Sequence, residues 1–258
     1  MITCQLQGGL GNQMFQIAAT YALAKRNNDE YSFNFNTCHT PLQGNTSKKY
    51  KDNIFKNIKE DVNFIPKFIF SEEKFSYNEL PYTNNLSLTG YFQSEKYFID
   101  YKEEIKKLFH ISSENIKLIR DFFIWWDLLD KQITSIHVRR GDYLNNQEFH
   151  KICPIEYYEK TMEEIGDSYF IFISDDMDWV KKKFIGKNIV YSSFNDEILD
   201  LSMMMLCDNN IIANSSFSWW GAYLNKNENK KIIAPKIWFG PNGPKDTQDL
   251  IPKDWKLM

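Results

Sequence analysis

The C-terminal half of the sequence alternates short apolar runs with segments of helical period. The apolar runs are TSIHV (134–138), SYFIFIS (168–174), NIVYS (188–192), NIIAN (210–214) and KKIIAP (230–235). Helical segments fill the intervals: one opened by Pro154, one from about Asp176, one over 196–206 and one near 217–224. Such alternation is typical of a parallel sheet covered by helices on both faces. The pattern therefore predicts a Rossmann-like domain.

The N-terminal half begins with the same alternation and then loses it. MITCQLQ (1–7) predicts a strand, GGLGNQ (8–13) a tight loop, and QMFQIAATYALAKRN (13–27) an amphipathic helix. YSFNF (31–35) predicts a second strand, whereas 41–88 shows no clean period. Helices return at 91–109 and 112–130, and the second is expected to direct Phe122, Trp125, Trp126 and Leu129 into a core. Because a new strand–helix series then starts, the predicted domains are 1–130 and 131–258.

Composition narrows the class of protein. Of the 258 residues, 43% are hydrophobic and 25% are charged, as in a globular enzyme with a proper core. The net charge of -3 gives no reason to expect nucleic acid as a partner. The four cysteines, at 4, 38, 153 and 207, form no C-x-x-C pair, and the four histidines show no ligand spacing. Neither a zinc cluster nor a redox motif is therefore predicted, and the thiols are expected to be reduced and in the core.

Membrane and export signals are not found in the sequence. No apolar run approaches the length of a membrane span. The first ten residues, MITCQLQGGL, lack the basic start and apolar stretch of a signal peptide. We therefore expect a cytoplasmic protein, and peripheral association with a membrane is left open.

The segment HVRRGDY (137–143) follows a predicted strand and carries two arginines. His137 and Arg139 share a face because alternate residues of a strand do. Arg140 points the opposite way unless the strand has already ended, which Gly141 favours. Ligands of open parallel sheets bind beyond the carboxyl ends of the strands, and guanidinium groups make bidentate bonds to phosphate. The motif thus predicts a diphosphate site with Asp142 orienting an arginine; a structural Arg–Asp pair is the alternative.

The glycine-rich loop GGLGNQ also has an anion-binding interpretation. Gly9 and Gly11 allow the backbone to approach a ligand closely, and the helix N-terminus that follows favours an anion. The loop lacks the Gly-Lys-Ser/Thr of a Walker A motif, and Met14 stands where the dinucleotide fingerprint requires a small residue. NAD binding is therefore not predicted. A turn that only packs tightly is the alternative.

A third candidate lies in NIIANSSFSWWGAYL (210–224), where small polar residues join a strand to a helix. Ser215, Ser216 and Ser218 can cap that helix or donate to phosphate, and the helix dipole attracts an anion. Trp219 and Trp220 are expected to fill the core rather than to stack on a sugar.

Two acidic segments allow both a structural and a chemical role. Asp176 and Asp178 form a D-x-D, a spacing that holds a metal ion on a diphosphate in some enzymes. Their position at the start of a helix favours capping instead. Asp200 lies beside the Leu/Met-rich side of the helix over 196–206, where it either meets a purine edge or faces solvent.

Together these segments resemble the α-1,2-fucosyltransferases of glycosyltransferase family 11. The matching stretches are GGLGNQMFQ, HVRRGDY, ISDD, DLSMMMLC, IIANSSFSWWGAYL and the closing APKIWF…DLIPKDW. The resemblance implies an α/β, GT-B-like architecture of two Rossmann-like domains with a donor cleft between them. It also implies GDP-β-L-fucose as donor, a terminal galactose as acceptor, inversion at the anomeric carbon, and no metal or other cofactor. It is weakest over 40–90, which leaves the choice of acceptor open.

The same resemblance assigns roles to residues. His137 is expected against the guanine nucleoside, Arg139 on the β-phosphate and Asp200 at the guanine edge, with Asn12 facing the donor from the other domain. The predicted catalytic residues are Arg139, Asn12 and Asp142. The predicted donor-binding residues are His137, Arg140, Gly9, Gly11, Asp175, Asp200, Asn214, Ser215, Ser216, Phe217 and Ser218. The general base is left open among Asp142, Asp175, Asp176, His137 and the departing phosphate.

Two other classes of protein remain as alternatives. A sugar-binding module without catalysis would explain the 16% of aromatic residues. It would not explain two arginines at a strand end beside two anion-binding loops. A nicotinamide-dependent oxidoreductase of nucleotide sugars would explain the α/β pattern, but the fingerprint glycine is missing.

Overall fold

The computed structural model describes residues 1–36 and 47–258, which form two units. Unit 1 consists of Met1–Ile111 and Asp246–Pro252, and unit 2 consists of Ser112–Lys245 and Lys253–Met258. This division differs from the predicted boundary at 130, because the helix that begins after Ser112 packs in the core of unit 2. Cys38 and His39 lie outside the described residues. Among the helices of the described ranges, none is long and apolar enough to cross a membrane.

Unit 1 is built around a small parallel sheet. Its strands, in chain order, are β1 (Ile2–Cys4), β2 (Phe68–Ser71) and β3 (Leu86–Thr89), and their order in the sheet is β1-β3-β2. The helices are α1 (Leu10–Arg26), α2 (Ser47–Lys51) and α3 (Lys102–Leu108), the last preceded by two short 3-10 turns. The predicted strand over 31–35 forms only isolated bridges, from Tyr31 to Ile2 and from Phe33 to Glu60.

Helix α1 begins earlier than predicted and is buried on all sides. Gly9 is its N-cap, in an extended conformation, so the helix takes in part of the predicted glycine-rich loop. Every residue from Leu10 to Ala24 is buried except Asn12. The amphipathic helix that the sequence pattern predicts is therefore a core helix, whose first turn leaves one amide side chain partly exposed.

Unit 2 contains a six-stranded sheet in which all neighbouring strands are parallel. Its strands are β4 (Ile133–Val138), β5 (Tyr169–Ser174), β6 (Ile189–Tyr191), β7 (Asn209–Ile211), β8 (Ile232–Ala234) and β9 (Lys256–Leu257). Its helices are α4 (Ser113–Trp125), α5 (Ile155–Ile165), α6 (Met177–Lys183), α7 (Glu197–Leu206) and α8 (Ser216–Tyr223). The predicted strands and helices of this half are confirmed, except that the strand predicted over 210–214 ends at Ile211.

The strand order β6-β5-β4-β7-β8-β9 fixes where a ligand binds on unit 2. From β4 the chain moves outward to β5 and β6, then crosses back to β7 on the other side of β4. This is the doubly wound order, and β4 and β7 flank its switch point. Alternate residues of β5 face opposite layers: Phe170 and Phe172 pack with α5 and α6, whereas Ile171 and Ile173 pack with α4 and α7.

The C-terminal end of α4 departs from the prediction. Phe122 is buried as expected, together with Ile119 and Phe123, but Trp125 is 85% exposed. Trp126 and Leu129 are also exposed. The helix ends at Trp125, and Asp127 has a positive φ of 53° that turns the chain, so the apolar face is not continued to Leu129.

Candidate functional site

Two loops meet at the switch point of unit 2. One follows β4 and contains Arg139–Asp142, and the other follows β7 and leads into α8. Ile136 of β4 pairs with Ile211 of β7, so the two strands end side by side. The Tyr143 hydroxyl then donates to the Asn214 carbonyl over 3.0 Å and ties the loops together. The predicted segments HVRRGDY and ANSSF therefore lie at one edge of the sheet.

Arg139 is held by two aspartates and stays partly open to solvent. Its Nη2 lies 2.6 Å from Asp142 Oδ1, and its Nη1 lies 3.0 Å from Asp175 Oδ2. The guanidinium carbon is 5.3 Å from the centre of the Tyr143 ring. The side chain is 30% exposed, so its outward N–H groups can reach a ligand while the aspartates fix its position.

Arg140 is oriented by a different set of contacts. Its backbone N–H donates to Asp175 Oδ1 over 2.9 Å, and its Nε donates to Asp176 Oδ2 over 3.0 Å. The guanidinium carbon lies 3.9 Å from the centre of the Trp179 ring. Asp176 also accepts from the Trp179 N–H, which confirms that it caps α6. Asp175 thus links both arginines, and Asp178 is exposed on the first turn of α6.

Gly141 is required where it stands between these ion pairs. A Cβ at this position would lie 2.5 Å from Asp175 Oδ2, too close for any real contact. A larger residue would displace the carboxylate that both arginines contact. The glycine in the RRGD segment therefore has a packing role in addition to ending the strand.

His137 is buried beneath the arginines. It is 4% exposed, its ring lies 5.4 Å from that of Phe217 at the start of α8, and its Nδ1 has no hydrogen-bond partner within the described ranges. Burial, reinforced by the nearby charge of Arg139, lowers its pKa to about 3. The imidazole is therefore neutral at physiological pH, and its buried, unpartnered Nδ1 is unusual for a protein interior.

The predicted residues that lead into α8 and begin it have two kinds of surroundings. The Asn214 amide donates to the carbonyls of Lys151 and Trp238, and the Ser218 hydroxyl turns back to the carbonyls of Ala213 and Ser215. Both side chains are buried and are used within the fold. Ser215 is the N-cap of α8 and makes no side-chain capping bond. The chemistry available to a ligand here comes from Ser215, Ser216, Phe217 and the helix N-terminus.

Asp200 lies further along the same edge of the sheet. It is on α7 and accepts from the hydroxyl of Ser192, the residue that follows β6, over 2.5 Å. Burial raises the pKa of its carboxyl to about 6, against the opposing effect of the Ser192 hydrogen bond. It is therefore a carboxylate that a donor from a ligand would stabilise. Asp200 is half-buried, and its role at a purine edge stays a prediction.

In unit 1 the predicted residues Gly9, Gly11 and Asn12 form the start of α1. Asn12 Oδ1 accepts from Gln93 Nε2 over 2.8 Å, which joins the first turn of α1, next to the loop after β1, to the loop after β3. Gln16 Nε2 makes a second link of this kind, to the carbonyl of Gly90 over 2.9 Å. Both loops lie at the carboxyl ends of neighbouring parallel strands, the edge at which such sheets bind ligands.

Three residues of these edges were not predicted from the sequence. Tyr143 and Trp179 flank the arginines, and Glu72 follows β2 in unit 1. Tyr143 is the last residue of the HVRRGDY segment, so its position in this motif could have identified it as a site residue. Glu72 comes one residue after the apolar run FIF (68–70), with Ser71 between them, so it too is a polar residue at a strand end. Over residues 1–36 and 47–258, no group of three or more His, Cys, Asp or Glu is arranged to hold a metal ion.

Comparison with known proteins identifies one protein family whose model matches almost the whole chain. Residues 1–257 match the family model described as Glycosyl transferase family 11. The chain is 33% identical to an O-antigen biosynthesis glycosyltransferase of Escherichia coli, WbnK, over 96% of its length and 98% of the relative's. It is 29% identical to an α-1,2-colitosyltransferase of Escherichia coli, over 99% and 98% of the two chains.

Among solved structures, the chain is similar to the α-1,6-fucosyltransferase NodZ soaked with GDP-fucose. The TM-score is 0.52 at 11% identity, covering 86% of this chain and 92% of the other. At 11% identity this similarity supports a shared fold and nothing about activity. With the parallel sheets described above, it confirms the predicted α/β, GT-B-like fold class.

Proposed function

Since the chain belongs to glycosyl transferase family 11 and is therefore a glycosyltransferase, we propose that it moves fucose from GDP-β-L-fucose to the 2-hydroxyl of a terminal galactose. The reaction inverts the anomeric carbon and uses no metal ion. Unit 2 binds the nucleotide sugar and unit 1 serves the acceptor. The resemblance to α-1,2-fucosyltransferases, the α-1,2 linkage in the name of one relative, and the GDP-fucose soaked into the similar NodZ structure all favour this assignment.

The observation that carries the proposal is the pair of arginines at the switch point. Arg139 and Arg140 are both fixed by carboxylates, and Arg139 remains 30% exposed. Preorganised guanidinium groups suit a diphosphate, and they stabilise charge that develops on it without reorganising. The N-terminus of α8, with Ser215 and Ser216, adds backbone N–H groups for the same anion.

The nucleoside is assigned to the remaining residues of this edge. His137 is neutral and presents an unsatisfied Nδ1, and Phe217 beside it offers an aromatic face. Asp200 is proposed to accept from the guanine edge, because a buried carboxylate gains most from N–H donors. Asn214 and Ser218 support this site by holding its loops rather than by direct contact with the donor.

The proposed reaction is a single displacement. The acceptor oxygen attacks C1 of fucose as the bond from C1 to the β-phosphate oxygen breaks, and the electron pair leaves with GDP. Arg139 stabilises the charge that builds on the β-phosphate, where other enzymes use a metal ion. Asp142 and Asp175 keep this arginine in place. Asn12 is assigned to the reacting sugars because it is the one partly exposed residue in the buried stretch Leu10–Ala24 of α1, at the carboxyl edge of the unit 1 sheet.

Ligand-dependent melting tests the proposal against its alternatives. GDP should raise the melting temperature, and NAD or free galactose alone should raise it much less. The enzyme is then incubated with GDP-fucose and lactose, and the linkage of the product is determined by NMR. An α-1,2-fucosylated product is expected. Stabilisation by NAD, or by galactose without any transfer, would overturn the proposal in favour of an oxidoreductase or a binding module. Transfer from a colitosyl donor alone would retain the reaction and replace the donor sugar.

A further inference from the structure

Glu72 lies at the carboxyl end of β2, on the same sheet edge as the glycine-rich loop. Its Oε2 accepts from the Tyr91 N–H over 2.7 Å, and its Oε1 accepts from the Phe92 N–H over 3.0 Å. Both donors belong to the loop that follows β3. Each carboxylate oxygen has a second lone pair, so the group can still accept a proton or a hydrogen bond.

The loop after β3, which donates to Glu72, has a backbone conformation that leaves space for this side chain. Gly90 has a φ of 156°, and a Cβ there would lie 2.4 Å from Glu72 Cβ and 2.8 Å from Glu72 Oε2. Phe92 has a positive φ of 52°, which is unusual for an aromatic residue. Strained backbone of this kind persists where the surroundings enforce it, and it is concentrated at functional sites. Gln93, next in the chain, donates to Asn12, so Glu72 belongs to the same cluster of loops as the predicted catalytic amide.

The surroundings of Glu72 keep a proton within reach at neutral pH. Burial raises the pKa of its carboxyl to about 7, although the N–H groups of Tyr91 and Phe92 act in the opposite direction. The facing titratable groups are Asp246, Tyr91, Tyr97 and Cys4. The pKa of Asp246 is lowered, chiefly by the Ser76 N–H, so its negative charge adds to the rise. Burial raises the pKa values of the tyrosines and the thiol, so these three groups stay neutral.

The candidate bases in unit 2 are less suited to this task. Asp142, Asp175 and Asp176 each contact an arginine, and taking up a proton would give up that ion pair. His137 is buried, and its pKa of about 3 makes it a poor proton acceptor near neutrality. A group whose pKa lies near the working pH is the better general base.

We infer that Glu72 is the general base that removes the proton from the acceptor hydroxyl. The inference rests on the proposed function. As the acceptor oxygen bonds to C1 of the transferred sugar, its proton passes to the Glu72 carboxylate, and the C1–phosphate bond breaks with its electron pair going to GDP. The protonated carboxyl then returns the proton to solvent. The strained loop around Gly90 and Phe92 keeps the carboxylate in position for this step.

The test compares Glu72→Gln with Glu73→Gln, which changes the neighbouring, exposed glutamate. Wild-type enzyme must first form product from GDP-fucose and lactose, which tests the proposed substrates. A loss of turnover that is then seen only in Glu72→Gln tests the role of Glu72 as base. Glu72→Gln should lower kcat by about 10²–10⁴-fold, the usual contribution of a general base. Its affinity for GDP should not change, and Glu73→Gln should behave as wild type.

The pH profile separates catalysis from a structural role. In wild type, kcat should rise with pH through a midpoint near 7, because the carboxylate must be ionised to accept a proton. The residual activity of Glu72→Gln should lack this limb. In Glu72→Asp the limb should remain and move to lower pH, since aspartate is the stronger acid by about 0.4 pKa units in model peptides. A limb that stays at the same pH in both variants, or a fully active Glu72→Gln, would overturn the inference.

Discussion

The charged groups at the strand ends of unit 1 and unit 2 are satisfied in different ways. In unit 2, Arg139 and Arg140 are paired with Asp142, Asp175 and Asp176. In unit 1, Glu72 pairs with no cation of residues 1–36 and 47–258 and is held by two backbone N–H groups. Both edges follow parallel strands, so their chemistry differs although their geometry has the same origin.

This difference shows how one fold separates two tasks. An arginine held by carboxylates keeps its charge at every physiological pH and serves as a fixed counter-charge for an anion. A carboxylate that is buried without a cation exchanges its proton readily near pH 7. Unit 2 is thus suited to holding a charged leaving group, and unit 1 to moving a proton.

Arg139→Ala should cause the largest loss in unit 2. Removing one preorganised donor to a developing charge typically lowers turnover by about 10²–10³-fold. Arg139→Lys should recover only part of this loss, because it keeps the charge without the planar fork. Turnover is measured with GDP-fucose and lactose, beside a thermal melt without ligand and with Arg120→Ala, at an exposed site on α4, as control.

Both Arg139 variants should melt close to wild type, since partly exposed ion pairs contribute little to stability. A much lower melting temperature would favour the structural Arg–Asp pair instead. A folded and fully active Arg139→Ala would move the diphosphate contact to Arg140.

Asp200→Asn should weaken GDP binding while leaving the fold intact. A hydrogen bond to a charged partner contributes about 1.5–3 kcal/mol, which sets the expected loss of GDP affinity measured by calorimetry. In wild type the affinity should also rise as the pH rises through about 6, because the ionised carboxylate is the form that accepts from guanine. The variant should lack this dependence. An unchanged affinity would remove Asp200 from the nucleotide site.

Asp200→Asn should also change how the stability of the ligand-free protein depends on pH. The pKa of Asp200 is raised from 3.8 to about 6 by folding, so the contribution of this group to stability is present at low pH and is lost as the pH rises through 6. Asp200→Asn should therefore melt no lower than wild type at pH 8.

Asn214→Ala should change stability and not catalysis. Its amide satisfies the Lys151 carbonyl and the buried Trp238 carbonyl, and a buried acceptor left unpaired costs about 1–3 kcal/mol. The free energy of unfolding is measured in urea, with the exposed Asn229→Ala as control. The GDP affinity of the folded fraction should stay the same. If it falls while stability does not, Asn214 contacts the donor directly.

Chelation should have the smallest effect. Transfer should continue unchanged in EDTA. In the proposed reaction Arg139 supplies the positive charge that a metal ion would provide, and Asp176 already caps α6 and accepts from Arg140. Asp178→Ala should likewise leave turnover unchanged. Loss of activity in EDTA that manganese restores would reverse the interpretation of both aspartates and of the metal-free displacement.

The sequence predicts unit 2 well for a physical reason. Its central strands β4 and β5 are buried along most of their length and stand out as apolar runs, and the capping role of Asp176 depends only on neighbours in the chain. Unit 1 is harder because β2 is a short edge strand whose one apolar run, FIF (68–70), is largely exposed and lies in a stretch without a clear period. Glu72 was missed for the same reason. Its function depends on Tyr91 and Phe92, whose approach is set by the pairing of β2 with β3 and not by any local pattern.

The chain passes from one unit to the other three times, at 111/112, 245/246 and 252/253. The short return segment is anchored in unit 1: Asp246 accepts from the Ser76 N–H, and Asp249 accepts from the Tyr77 N–H and pairs with Lys96. During synthesis, residues 1–111 therefore leave the ribosome long before the segment that completes their unit. A cut in the chain between 111 and 112 would yield an N-terminal fragment that lacks part of its own fold. Unit 1 is complete only after nearly all of unit 2 has been translated.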